Sequence, residues 1–159
     1  MARILCSDQN HDASKVRALV VDDFESFRQF TVSTLQTKQE LLVVGEASDG
    51  LEAVQKAEEL QPELILLYLG LPTLNGFEAA RQIRKLAPES KIIFVTQESS
   101  LDVVQAGLNL GVMGWVVKTG AAIDLLAAVQ AVCDGRQFVS GGLSGHHVTE
   151  AQAPTASSD

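Results

Sequence analysis

Five side chains could do polar chemistry together: Asp22, Asp23, Tyr68, Thr96 and Lys118. They are two carboxylates, a phenol, a hydroxyl and an ammonium, and each sits at the end of a short apolar run. Singly, each has a plainer explanation. Adjacent acids after a strand suit the positive end of the next helix. A tyrosine in an apolar strand usually packs in a core, and a lone Thr or Lys at a strand end signifies little. Together, at the ends of the first, third, fourth and fifth runs, they are chain-distant groups that one rim would gather. Other chemistries are excluded. Ser99, Ser100, His146 and His147 form neither an ordered catalytic triad nor a metal-ligand spacing. The DDFES stretch after the first run puts acids where a bound cofactor would need a Gly/Ser/Thr-rich phosphate loop.

The elements that must position these groups are legible as an alternation. RALVVDD, LLVVGE (41–46), ELILLYL (63–69), KIIFVT (91–96) and GWVVK (114–118) are rich in Val, Ile and Leu without clean alternation. Strands buried on both faces of a parallel sheet have that pattern. Helical spacings follow each: residues 24–35, 50–60, 77–86 (ending at Pro88), 101–110 and 121–133, the last stopped by Asp134-Gly135. Five strand-helix units predict an α/β, doubly wound (βα)5 domain with a parallel sheet in the order 2-1-3-4-5. Such a sheet binds at the carboxyl ends of its strands. The domain is expected over residues 16–140. Residues 1–15 are expected to be an N-terminal arm, and 141–159 a disordered tail or the start of a linker.

Composition narrows the classes. The 159 residues are 46% hydrophobic and 20% charged, enough for a single packed core. No apolar run approaches the ~20 residues of a membrane helix. The opening MARILCSDQNHDASK is too short in apolar residues for a secretory signal and carries acids. Cys6 and Cys133 form no motif and are expected as reduced thiols in the cytosol. A net charge of −8 repels phosphate backbones, so direct nucleic-acid binding by this chain is not expected.

The segments VRALVVDD, LILLYLGLPTLNGFEAARQIR, IIFVT and GWVVK, in that order, resemble the receiver domain of bacterial response regulators over about residues 16–139. The wording around the third strand is most similar to receivers that precede a LuxR/NarL-type DNA-binding domain. The resemblance implies a flavodoxin-like fold and a role in two-component phosphorelay signalling rather than enzymatic turnover of a substrate. It implies that Asp22 and Asp23 are the metal acids, with the Gly70 carbonyl as a further Mg²⁺ ligand. Thr96 takes the switch hydroxyl position, Trp115 the aromatic switch position, and Lys118 the phosphate or carboxylate partner. The residue types suit that chemistry. A carboxylate attacks phosphorus to form an acyl phosphate, Mg²⁺ takes hard oxygen ligands, and lysine brings a mobile point charge.

One departure decides the expected function. The family's phospho-accepting Asp corresponds here to Tyr68. A phenol titrates near ~10, is neutral at pH 7 and cannot form an acyl phosphate. Mg²⁺ is therefore expected to bind weakly, and Asp22 and Asp23 need a counter-charge that Lys118 is placed to supply. The Tyr68 hydroxyl is expected to meet Lys118, Asp23 or Thr96 and fill the phosphoryl space. The resulting expectation is an atypical receiver acting by protein–protein contact, with no catalytic residue. Its partners would be a sensor histidine kinase or another signalling protein, or a second copy in a homodimer, in the cytoplasm and without membrane contact. The alternative is an ordinary Mg²⁺-dependent phosphoacceptor receiver, natively part of a transcriptional response regulator, whose Asp is exchanged in this chain.

Overall fold

In a computed structural model, residues 15–97 and 100–140 are described. Within them lie β1 (Val16–Val21), α1 (Glu25–Gln36), β2 (Leu41–Ala47), α2 (Gly50–Leu60), β3 (Leu64–Tyr68), α3 (Gly76–Leu86), β4 (Lys91–Thr96), α4 (Leu101–Leu110), β5 (Gly114–Val117), α5 (Ala121–Cys133) and β6 (Phe138–Val139). A 3₁₀ turn over Lys118–Gly120 leads from β5 into α5. All pairings are parallel, in the order β2-β1-β3-β4-β5-β6. The expected 2-1-3-4-5 sheet is present. It gains a two-residue edge strand, β6, whose Phe138 and Val139 pair with Gly114 and Trp115. The arm before Lys15 and the tail 141–159 fall outside the described residues, as do Cys6, Ser99, His146 and His147.

The mixed apolar runs have a simple cause: both sheet faces are covered. Alternate strand residues (Leu19 and Val21, Ile65 and Leu67, Ile92 and Phe94, Trp115 and Val117) pack with α2, α3 and α4 through Ala53, Ala80, Ile83 and Val104. Their neighbours Val20, Leu66, Ile93 and Val116 face α1 and α5 through Leu35, Leu125 and Val129. A strand clothed on both sides cannot alternate polar with apolar.

Local signals explain the helix ends. Asp49 and Asn75 accept the backbone N–H of Glu52 and Glu78, and Ser100 that of Asp102, so α2, α3 and α4 begin on side-chain caps. Gly111 takes the left-handed conformation that ends α4. Two helices lack a side-chain cap: Gly120 precedes α5, and Phe24 precedes α1. Instead the Asp22 carboxylate accepts the Phe24 N–H at 2.8 Å, which ties the start of the helix to the end of β1. The sheet thus delivers Asp22, Tyr68, Thr96 and Lys118 to one edge, because β1, β3, β4 and β5 all run the same way.

Candidate functional site at the carboxyl ends of the strands

Asp22 follows β1 and is almost fully buried, whereas Asp23 beside it is exposed. Lys118 begins the turn after β5 and its ammonium lies 3.0 Å from Asp22 Oδ2. The lysine side chain is 11% exposed and the aspartate 4%, so this pair is shielded from water and cannot be treated as a weak surface contact. The other Asp22 oxygen is engaged by the Phe24 N–H. Its backbone carbonyl accepts from Arg28 Nη1 at 2.9 Å, and Arg28 Nε reaches Glu46 at 3.0 Å.

Aromatic rings surround the lysine. Its ammonium stands 3.8 Å from the Tyr68 ring centroid, 4.5 Å from that of Phe27 and 5.8 Å from that of Phe24. A desolvated ammonium over an aromatic face is attracted by the ring quadrupole. Lys118 is therefore held by one buried carboxylate and by rings from both sides of the rim.

Tyr68 is the last residue of β3 and half-buried. Its ring folds over Gly70: a Cβ at position 70 would lie 2.9 Å from the phenol oxygen and 3.1 Å from ring carbons. A side chain at position 70 would crowd the ring in this position. The hydroxyl donates to Gln97 Oε1 at 2.9 Å. This corrects the expectation that it meets Lys118, Asp23 or Thr96. The rigid ring carries the oxygen across the pocket to the residue after β4, and Lys118 meets the ring face. Thr96 closes β4 and is buried.

Trp115 lies at the start of β5, fully buried among core residues on the α2–α4 side of the sheet. The indole is packed under α4, where a Cβ on Gly107 would come 2.5 Å from Nε1. That nitrogen finds no hydrogen-bond partner among the described residues. In this arrangement the indole is a core side chain.

These donors suit Mg²⁺ poorly. A hard octahedral cation needs several oxygen ligands. Asp22 already serves Lys118 and the Phe24 N–H, Asp23 is a single exposed carboxylate, and Tyr68 offers a neutral phenol over Gly70. Among the described residues, no three His, Cys, Asp or Glu side chains gather in a metal-holding group. The lysine stands where a counter-ion to Asp22 is needed.

Four participants went unread as site residues: Phe24, Phe27, Arg28 and Gln97. Gln97 had a signal, being the polar residue directly after a strand-ending Thr. Phe27 was legible only as an apolar helix position, and nothing in the spacing shows that its ring would face an ammonium.

Comparison with known proteins places this geometry. Residues 18–130 match the family model described as the response regulator receiver domain. The chain is 38% identical over 120 residues to the response regulator protein VraR of Staphylococcus aureus, covering 76% of this chain and 57% of that protein. It thus spans little more than half the length of the curated relatives it matches. Among solved structures it is similar to a LuxR-family two-component response regulator from Aurantimonas sp. SI85-9A1, with a TM-score of 0.79, 27% identity, and 83% of this chain and 94% of the other covered. It is also similar to the signal receiver domain of the putative response regulator NarL from Mycobacterium tuberculosis, with a TM-score of 0.73, 28% identity, and 77% and 99% covered.

Proposed function

This chain belongs to the response regulator receiver domain family, and from that premise we propose that it signals by protein–protein contact without phosphorylation at position 68. One observation carries the proposal. The Tyr68 ring fills the space between Lys118 and Gly70, with its hydroxyl on Gln97. Phosphorylation here would need a carboxylate oxygen at that position to attack the donor's phosphorus as the donor's leaving group departs, and a metal to offset the accumulating charge. The phenol is neutral at pH 7 and has no acyl carbon.

The chain's own residues then hold the rim in a single arrangement. Lys118 neutralises Asp22 directly, and Tyr68 links β3 to the junction between β4 and α4. A sensor histidine kinase or another signalling protein is the partner this reading supports, with recognition through surface contact. No helix among the described residues is long and apolar enough to cross a membrane. The −8 charge opposes nucleic-acid binding by this segment.

The test compares the parent chain with Tyr68→Asp, each incubated with Mg²⁺ and a small phosphodonor and read by intact mass. No phosphoryl adduct is expected on the parent, and a labile adduct on the variant. Equal labelling of both would place an acceptor elsewhere, with the exposed Asp23 the first to examine, and would sink the proposal in favour of an ordinary phosphoacceptor receiver.

A further inference from the structure

The segment that closes the sheet is fastened by one side chain. β6 has two residues, both half-buried, fewer than the ~3–10 common for strands. Its backbone makes few ties: the Phe138 N–H donates to the Met113 carbonyl at 3.0 Å, and the Ser140 N–H to that of Trp115 at 2.8 Å. So short an edge strand opens locally at little cost. Yet Ser140, directly after it, is 1% exposed.

The Ser140 hydroxyl stands at a junction. It accepts the Val117 N–H at 3.0 Å and donates to Asp124 Oδ2 at 2.9 Å. Val117 is buried at the end of β5, and a buried N–H needs an acceptor. β6 has already ended at Val139, so a hydroxyl stands where a longer strand would offer a carbonyl. Asp124 lies in the first turn of α5. Between Val117 and α5 there is only the 3₁₀ turn Lys118–Gly120. A Cβ on Gly120 would come 3.4 Å from the same Asp124 oxygen. Ser140 therefore holds both ends of the turn that carries Lys118.

Lys118 reaches from that turn to Asp22, 3.0 Å away, and lies over the Tyr68 ring. Two polar clamps thus grip one three-residue turn: Asp22 at the rim and Ser140 at the end of β6. Shielded polar groups joined in series reinforce one another. A turn this short has little slack to absorb a displacement at one clamp before the other feels it.

We infer that Ser140 is a positioning residue that couples the seat of Lys118 to the path by which the chain leaves β6. A change at the rim is then passed along β5 to the residues that follow position 140. The inference rests on the geometry of β5, the 3₁₀ turn and α5, and not on the reading of position 68.

Amide exchange and the ring signals of the single tyrosine, followed by NMR on the full chain, test this. Ser140→Ala leaves the Val117 N–H without its acceptor. Exchange at Phe138 should quicken about fivefold, as for the loss of one hydrogen bond. The Tyr68 ring signals should shift, because the ammonium 3.8 Å from the ring centroid is displaced. Coupling between two sites is reciprocal. In Lys118→Met, Phe138 and Ser140 should therefore exchange about fivefold faster relative to amides in α2. Ser90→Ala is the control. It too removes a buried serine hydroxyl, one that precedes β4 and donates to the Pro62 carbonyl, and it should change neither readout. Tyr68 ring signals that stay in place in Ser140→Ala overturn the inference. So does unchanged exchange at Phe138 and Ser140 in Lys118→Met, or an equal effect in Ser90→Ala.

Discussion

At the scale of single residues, the pair Asp22–Lys118 decides what this rim can do. Removing one member of a shielded ion pair strands the other's charge, which costs more than the pair itself contributes. Lys118→Met is therefore expected to lower stability by about 3 kcal/mol, measured by urea unfolding. Asp22→Asn keeps an oxygen for the Phe24 N–H and removes the charge that needs Lys118. The double variant Asp22→Asn, Lys118→Met should recover at least half of that loss. If the double variant falls by the sum of the single losses, the two residues are not coupled and the clamp described here is wrong. The acids and the lysine were legible in the sequence because they end separate apolar runs. The expectation that Lys118 supplies their counter-charge holds at Asp22, but the detailed geometry was not legible. Which nitrogen meets which oxygen depends on the rings of Phe24, Phe27 and Tyr68, and ring direction has no signature in residue spacing.

At the scale of elements, two glycines show how closely the helices approach. Gly50 starts α2 against the loop after β3, and a Cβ there would stand 1.8 Å from the Leu74 carbonyl oxygen. That neighbour is backbone and cannot rotate away. Gly50→Ala is expected to destabilise by about 3 kcal/mol through overpacking, read from the unfolding midpoint. Gly107→Ala meets the Trp115 indole instead. The ring can shift, so the cost should be smaller, about 1–2 kcal/mol, with a red shift of the emission of the chain's single tryptophan. An unchanged spectrum would mean that α4 does not rest on the indole. Element order, helix limits and the parallel sheet were readable from the alternation of apolar runs with helical spacings and from the stops at Pro88 and Asp134-Gly135. The strand β6 was not, since two residues on a sheet edge carry no periodicity. Its place is set by tertiary contacts: Ser140 accepts the Val117 N–H at 3.0 Å and donates to Asp124.

At the scale of the whole molecule, the rim joins parts that the sheet keeps apart. Asp22 after β1 holds Lys118 after β5, Lys118 lies on the Tyr68 ring at the end of β3, and the Tyr68 hydroxyl reaches Gln97 before α4. α4 has only two buried residues, Val104 and Gly107, whereas α5 has seven. A helix with so few buried side chains opens locally at little cost, and the Tyr68–Gln97 hydrogen bond fixes the residue after β4, on the way into it. Tyr68→Phe tests that role cleanly. It keeps the ring beneath Lys118 and removes only the hydroxyl. Loss of one hydrogen bond is worth about 1 kcal/mol, or roughly fivefold in a local opening equilibrium. Amide exchange in residues 100–104 should therefore quicken by about that factor, while α1 and α5, which pack on the other face of the sheet, should exchange as before. A uniform change across all helices would mean that the hydroxyl contributes to global stability rather than to the β4–α4 junction. No change at all would mean that Gln97 does not steady α4, and that this receiver's single arrangement rests on the Asp22–Lys118–ring cluster alone.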